Sequence, residues 1–478
     1  MRHFLGSLHP GDIQLRDNWQ FELKSEVFPL KGKKKQCFVQ EFYLFIPNAL
    51  RINPHTYSKR QFYNDQSCFI RHKTPQMEVS TAIDLSNPVS PLYQFELHRK
   101  SGDQMEAEKS LKLFGNIIRS ALRVRIAAIV NLIHHQENVV AQIRLLKEDL
   151  HALDEVLETF KENLFDEAKL LICLDYVHQF INNVSSYYLV GCLDVLRHVH
   201  QSDEVSDQLL TELLKRYETV DEEMSEQESE KVLYRRSLLN KYVLDALLLS
   251  INRFSVKQKW GNIIASFAAF IAMFVFLILF TWKSKYIVVD SISFILITSA
   301  LYIVKDRLKE WLKQFALAYR SFSDFTTEIK SPDERYTIGR QRDFFSFIKQ
   351  KQMDKEIDSI RNSEFHEVLD QFQRPEHIIY YKNQVELNPM IDDEGLNLVF
   401  RLNIHPFIAK AGNPSRTFMS LDRQTGGILM RSLPKVYHIN IVVKNRYFES
   451  DQTEKTEIKK FRLVVDGNGI KRVQQIAL

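Results

Sequence analysis

The two ends of the chain alternate apolar with polar residues, whereas the middle does not. From Leu396 to Ile404 every second residue is apolar, which is typical of a strand with one buried face. The turn at 466–469 (DGNG) tolerates positive φ and predicts a β-hairpin. Further runs rich in β-branched and aromatic residues occupy 19–23, 37–46, 437–443, 461–465 and 470–476. Both ends of the chain are therefore predicted to be β-rich.

The middle of the chain repeats apolar residues at spacings of three and four. Proline is absent between Leu92 and Ser331, so this region is predicted to be helical. From Ile129 to Leu164 the alternating spacing gives a heptad repeat with one polar member, Gln136. Such a repeat predicts a coiled-coil seam. Its central members are Ile143, Leu146, Leu150, Leu153 and Leu157.

Two strongly apolar runs predict a transmembrane helical hairpin. The first covers about 260–282, and the second covers about 286–304, where Asp290 is the single charge. At a rise of about 1.5 Å per residue, each run comes close to the ~30 Å hydrocarbon core. Small side chains would let the two spans approach closely. They include Ala265, Ala269, Ala272 and Ser293.

Basic residues beside these runs predict an orientation in the membrane. Lysine and arginine are frequent before the first run and after the second, whereas the connection holds Lys283 and Lys285. Because basic flanks stay in the cytoplasm, we expect an integral membrane protein with both termini cytoplasmic. The two β-rich ends would then lie on the same side of the membrane.

Composition fits a folded protein in a reducing compartment. The chain has 64 basic and 60 acidic side chains and 45% hydrophobic residues, which is ordinary for globular proteins. Its four cysteines stand far apart, so a disulfide scaffold is excluded.

The predicted fold class is α+β. It combines a two-span transmembrane helical hairpin, a long cytoplasmic α-helical coiled-coil stalk and β-rich cytoplasmic arms at both termini. The predicted domains are a β-rich arm (1–102), the stalk (103–258), the hairpin (259–305), juxtamembrane helices (306–370) and a β-rich domain (371–478).

Common catalytic and cofactor motifs are missing from the sequence. It contains no P-loop, dinucleotide-binding, serine-hydrolase or zincin pattern, and we predict no catalytic centre, cofactor or metal. In the first arm, basic residues alternate with aromatic ones, a pattern that suits phosphate or lipid contact but also a β core with a basic rim. The basic members are Lys33, Lys34, Lys35, Arg51, Lys59 and Arg60, followed by Arg71 and Lys73.

These features favour a non-catalytic function. We expect a membrane-anchored scaffold, sensor or effector that assembles through its helical stalk and binds a cytoplasmic partner through its β arms. Membrane lipids, a cytoplasmic protein and further copies of the chain are the expected partners, and nucleic acid is less favoured. Two alternatives are a pore-forming or membrane-disrupting effector and a membrane-tethered enzyme with a site in the β arms.

Overall fold

The protein is described by a computed structural model that covers residues 13–27, 36–165, 167–199, 204–217, 226–284, 292–319, 323–331, 336–363, 376–388, 395–410, 415–421, 426–448 and 454–476. The strands are β1 (Ile13–Leu15), β2 (Gln20–Val27), β3 (Gln36–Pro47), β4 (Gln66–His72), β5 (Ser250–Ser255), β6 (Phe325–Lys330), β7 (Thr337–Ile348), β8 (Glu376–Leu387), β9 (Leu396–Asn403), β10 (Ser415–Leu421), β11 (Ile428–Pro434), β12 (Tyr437–Phe448), β13 (Glu454–Asp466) and β14 (Gly469–Ile476). The helices are α1 (Lys59–Asp65), α2 (Val79–Ile83), α3 (Pro91–Ser101), α4 (Gln104–His134), α5 (Val140–Asn163), α6 (Ala168–Val199), α7 (Glu204–Tyr217), α8 (Glu226–Leu244), α9 (Val256–Ser284), α10 (Ile292–Tyr319), α11 (Lys355–Asn362) and α12 (His405–Ala409). Within these residues the chain is an α+β protein with two large sheets.

The two large sheets are antiparallel and pack face to face. The larger has the order β14-β13-β12-β3-β8-β7-β6-β5, and the smaller has the order β1-β2-β9-β4. Their inner faces share one apolar core, in which Phe42 of β3 stacks on Phe400 of β9 with ring centroids 4.3 Å apart. Because β3 pairs with both β8 and β12, the first and last parts of the chain build one β body.

The predicted hairpin near the end of the chain is present. Strand β13 pairs with β14, and Asp466 lies opposite Gly469. Gly469 has a φ of 118°, and a Cβ there would lie 2.2 Å from the carbonyl oxygen of Asn18. The position therefore requires glycine.

Helices α2 to α8 pack into a bundle with a separate apolar core. Gly115 of α4 allows a close approach, because a Cβ there would lie 3.1 Å from Val243 of α8 and 3.2 Å from Val177 of α6. The bundle meets the β body at the three-residue 3₁₀ turn Asp245–Leu247, after which Leu248 forms a β-bridge with Arg71.

The predicted coiled-coil stalk is wrong. Helix α4 ends at His134 and α5 begins at Val140, and Gln136 between them has a φ of 58°. The repeat from 129 to 164 is therefore split between two helices. The predicted seam residues are buried in the bundle core of the same chain: Ile143, Leu146, Leu150, Leu153 and Leu157. A spacing of three and four also describes the buried face of an ordinary bundle helix.

The predicted two-span transmembrane hairpin is also wrong. Among the described residues, one helix is long and apolar enough to cross a membrane, α9, whose stretch Asn262–Trp282 has a mean hydropathy of 2.9 and an 18-residue window that is 11% buried. In α10 the apolar part ends at Val304 before a charged segment. From Ile292 this part spans only about 20 Å, short of the ~30 Å hydrocarbon core.

The chain leaves the β body before α9 and returns to it after α10 at neighbouring positions. Strand β5 ends at Ser255 directly before α9, and Ser255 pairs with Phe325, the first residue of β6. The two helices pack on each other. Of the small residues predicted to pack there, Ala272 is 1% exposed, Ala265 and Ala269 are half-buried, and Ser293 is the second residue of α10. Asp290 lies outside the described residues.

Candidate functional site

A cavity of about 400 Å³ lies where the helical bundle meets the β body. Three surfaces line it: the outer face of the smaller sheet, one face of α4, and strands β3, β12 and β13 of the larger sheet. Small-molecule sites commonly have volumes of about 300–1,000 Å³. Its cationic lining residues are Lys24, Arg71, Lys73, Arg119, Arg123 and Lys459.

Helix α4 places two arginines through its helical period. Arg119 and Arg123 share one face with Asn116 and Ser120, because these positions lie three or four residues apart. Other positions of the helix carry the apolar side chains that enter the bundle core, among them Ile117, Ile118, Leu122 and Ile126. Packing of the apolar side chains therefore fixes the direction in which the arginines point.

Strand alternation places the other cations. On β2, Phe21 and Leu23 enter the sandwich core, so Lys24 and Glu26 lie nearer the outer face. Glu26 and Arg71 are both opposite Asn397, which belongs to the strand between them. Lys73 follows the end of β4, and its N–H donates to the Gly395 carbonyl oxygen at 2.7 Å. The outer face of this sheet is therefore polar where it meets α4.

The cavity holds more positive than negative charge. In the described part of the chain, six cationic and two acidic side chains line it. Both acidic groups are already paired, Glu26 with Lys73 at 2.7 Å and Glu457 with Lys459 at 2.9 Å. The cations that form no ion pair with a described carboxylate are Lys24, Arg71, Arg119 and Arg123.

Lys24 and Arg119 donate to neutral groups, while the carboxylate of Glu22, which does not line the cavity, attracts Lys24 and Arg71. Lys24 Nζ donates to Gln14 Oε1 at 2.6 Å, and Arg119 Nη2 donates to Asn116 Oδ1 at 3.0 Å. The Arg119 guanidinium also lies 5.7 Å from the centroid of the Phe180 ring. The Nε of Arg71 is buried without a hydrogen-bond partner. Among the described residues, the positive charge in the cavity is therefore only partly balanced by carboxylates.

The pKa values of Lys24, Arg71 and Arg119 are lowered. Burial lowers the pKa of Lys24 to about 8; the positive charges of Arg71, Arg123 and Arg119 act in the same direction, while Glu22 opposes them. Burial also lowers the pKa of Arg119 to about 10, again with help from Arg71 and Arg123. For Arg71, burial is the largest cause of a lowered pKa. The positive charges of Arg71 and Arg123 thus lower the pKa of both Lys24 and Arg119.

The wall from the larger sheet has a different chemistry. Phe38 of β3 and Tyr447 of β12 line the cavity with their rings, whose centroids are 6.4 Å apart. Asn445 lies between the sandwich core and this wall, is 4% exposed, and has no hydrogen-bond partner for its Oδ1. One wall therefore carries cations, and another carries aromatic rings and an amide.

The residues predicted for phosphate or lipid contact do not gather in one place. Arg51 and Arg60 are exposed, while Lys33, Lys34 and Lys35 lie outside the described residues. Lys59 forms an ion pair with Asp324 at 2.6 Å, and Asp324 also accepts from Tyr63 Oη at 3.1 Å. Lys59 is thus part of a polar network near the start of β6. Of the longer basic series, Arg71 and Lys73 do line the cavity.

Sequence reasoning missed the arginines of α4. Arg119 and Arg123 lie in the segment that was predicted to be a coiled-coil stalk, where no binding site was expected. A signal was available, since Arg119 and Arg123 are four residues apart and therefore lie on one face of α4. That signal alone does not show that β2 and β4, far away in the sequence, lie against this face.

Comparison with known proteins gives no relative: no family model, curated protein or solved structure matches the chain. Among the described residues, no group of three or more histidine, cysteine, aspartate or glutamate side chains is placed to hold a metal ion.

Proposed function

We propose that this protein is a receptor for a phosphate-bearing ligand and that α9 attaches it to a membrane. The observation that carries the proposal is the set of four cations that face one cavity and form no ion pair with a described carboxylate. The receptor would correspond to the sensor expected from the sequence, with its recognition site in the cavity between α4 and the β body.

Electrostatics support an anionic ligand. Burying like charges together destabilises the folded protein, so such clusters are concentrated at functional sites. An anion bound in the cavity would pair with the cations and remove much of that cost. Arg71, Arg119 and Arg123 suit phosphate in particular, because a guanidinium can donate two parallel hydrogen bonds to its oxygens.

The attachment to a membrane rests on α9. Its apolar stretch of 21 residues is about 31 Å long, which gives a large apolar surface for contact with lipid. Large side chains such as Phe267, Phe270 and Phe274 are more than half exposed, and a lipid environment would cover them. Because strands β3, β8 and β12 share one sheet, the parts of the chain before α9 and after α10 lie on one side of the membrane. We therefore propose that α9 enters the lipid without carrying the chain across it and that both termini are cytoplasmic.

A protein partner or a second copy of the chain also belongs to the proposal. Strands β10 and β11 pair only with each other among the described strands, and an isolated two-stranded hairpin has marginal stability in water. Leu421, Ile428 and Met430 on this hairpin are more than 60% exposed. A partner that covers these side chains would stabilise the hairpin.

Pyrophosphate binding tests the receptor proposal. We expect isothermal titration of the full chain, purified in a non-ionic detergent, to show one pyrophosphate per chain. Arg123→Gln removes one cation from the cavity and keeps a good helix former, so we expect affinity to fall at least tenfold, as for the loss of a charged hydrogen bond. Arg60→Gln is the matched control, because Arg60 is exposed on α1, and it should bind as wild type does.

Two outcomes would overturn the proposal. One is no pyrophosphate binding by the folded wild-type protein. The other is equal affinity in the wild type and the Arg123→Gln variant, with circular dichroism showing that both are folded, because binding would then occur elsewhere.

A further inference from the structure

Along strand β12, the side chains that face the sandwich core change from apolar to polar towards the cavity. Ile441 and Val443 of this strand point into the sandwich core, and alternation puts Asn445 and Tyr447 on the same side. On the neighbouring strand β3, Phe42, Gln40 and Phe38 follow the same order. The apolar core therefore ends in two amides, Gln40 and Asn445, before the rings of Phe38 and Tyr447.

The two amides differ in their hydrogen bonding. Gln40 Nε2 donates to Ser25 Oγ of the smaller sheet at 2.6 Å, which joins the two sheets. Asn445 Oδ1 is buried and accepts no hydrogen bond in the structure. An unpaired buried acceptor destabilises the folded protein. A ligand group that donates to Asn445 Oδ1 would remove that cost.

The cavity thus offers three kinds of contact to one ligand. Arg71, Arg119 and Arg123 can hold phosphate oxygens, Asn445 can accept from an N–H group, and Tyr447 presents an aromatic ring to a flat group. A planar base with exocyclic or ring N–H groups meets the last two conditions, since bases stack on aromatic side chains and are read through their polar edges. A phosphate on the same molecule meets the first.

We propose, on the basis of the receptor function above, that the ligand is a nucleotide, with its phosphates among the arginines and its base on the wall formed by Phe38, Asn445 and Tyr447. Inorganic phosphates and sugar phosphates satisfy the cationic wall but have no flat group to stack on the ring of Tyr447. The proposal therefore separates nucleotides from other phosphate compounds.

A ligand series with a matched pair of variants tests this. The full chain in non-ionic detergent is titrated with pyrophosphate, ribose 5-phosphate, and the adenosine, guanosine, cytidine and uridine 5′-monophosphates. We expect at least one nucleotide to bind about tenfold or more tightly than ribose 5-phosphate, because one base–aromatic stack is lost in the sugar phosphate. Tyr447→Leu should remove this advantage, while its pyrophosphate affinity stays unchanged. Tyr447→Phe keeps the ring and should retain the advantage.

The outcomes distinguish this inference from the receptor proposal. If pyrophosphate binds and every nucleotide binds no more tightly than ribose 5-phosphate, the nucleotide inference fails and the receptor proposal stands. If a nucleotide advantage persists in Tyr447→Leu, the base does not lie on this wall and the inference also fails. If neither pyrophosphate nor any nucleotide binds, both proposals fail.

Discussion

Lys24 carries a positive charge into a place where three arginines already lie. Its ammonium group faces Glu22 on its own strand, Gln14 on β1, Arg71 on β4, and Arg119 and Arg123 on α4. The pKa of Lys24 is about 8 in the folded protein, compared with 10.5 in a free side chain. The unfolded chain therefore binds the proton more tightly, and the charge of Lys24 destabilises the folded state at neutral pH.

Lys24→Met should stabilise the unliganded protein and weaken phosphate binding. Methionine keeps the length of the side chain without its charge, so we expect the free energy of unfolding at pH 7 to rise by about 1–2 kcal/mol after allowance for solvent screening. Pyrophosphate affinity should fall at least tenfold. Thermal denaturation and titration of the same samples measure both. A variant that is less stable and binds normally would show that Lys24 is structural.

Stability should also depend on pH in a defined direction. Between about pH 8 and 10.5 the unfolded chain still holds the Lys24 proton and the folded protein has lost it, so wild-type stability should rise with pH over this window. Below about pH 8 both states are charged and the penalty is complete. In Lys24→Met this contribution to the rise should be absent, and equal slopes in the two proteins would contradict the pKa assignment.

The cavity could be predicted from sequence only in part. Arg71 and Lys73 belong to a basic and aromatic series that is visible in the sequence. Their partners Arg119 and Arg123 are distant in the chain, and only the packing of α4 on the smaller sheet brings the two groups together. Periodicity gives the face of each element but not which faces meet.

At the scale of elements, the apolar spacing predicted the correct buried face of α5. It also predicted one continuous coiled-coil helix through 129–164, which the structure divides into α4 and α5. The spacing of its leucines is shared by coiled coils and by bundle helices. The turn that separates α4 from α5 was present in the sequence as five consecutive polar residues, 134–138. Similarly, residues 306–370 were assigned to helices, but the structure places strands β6 and β7 among them. Strands β6 and β7 pair with each other as well as with β5 and β8, so the helical prediction missed a hairpin between neighbouring segments of the chain.

Two leucines of α5 test the bundle assignment. Leu150 is 1% exposed, whereas Leu145 on the same helix is 43% exposed. We expect Leu150→Ala to lower the free energy of unfolding by about 2–5 kcal/mol, because it leaves a cavity in the core. Leu145→Ala should change it by less than about 0.5 kcal/mol. Size-exclusion chromatography should show the same oligomeric state for both, and a change of state in Leu150→Ala would point instead to a seam between chains.

For the whole molecule, the ends of the chain are less separate than the sequence suggests. Strand β2 pairs with β9, and β3 pairs with β8 and β12. The two arms, which were expected only to touch, therefore contribute strands to the same two sheets. Each pairing joins residues more than 300 positions apart. Hydrophobic alternation identified many of these strands, but it carries no information about such distant registers.

The pairing of Ser255 with Phe325 has a further consequence for how the chain is assembled. Because the chain leaves and returns at neighbouring positions, the segment 256–322 occupies the place of a hairpin turn. Replacing it with a short Gly-Asn-Gly linker should close β5 onto β6 and yield a body that stays monodisperse without detergent. Its pyrophosphate affinity should remain within about threefold of the full chain, since none of the residues lining the cavity belongs to the segment.

Aggregation of this shortened chain, or loss of its pyrophosphate binding, would show that α9 and α10 support the body directly. If it behaves as expected, ligand recognition and membrane attachment belong to separable parts of one polypeptide. The same β body could then be joined to a different anchor, or to none, without redesigning the cavity.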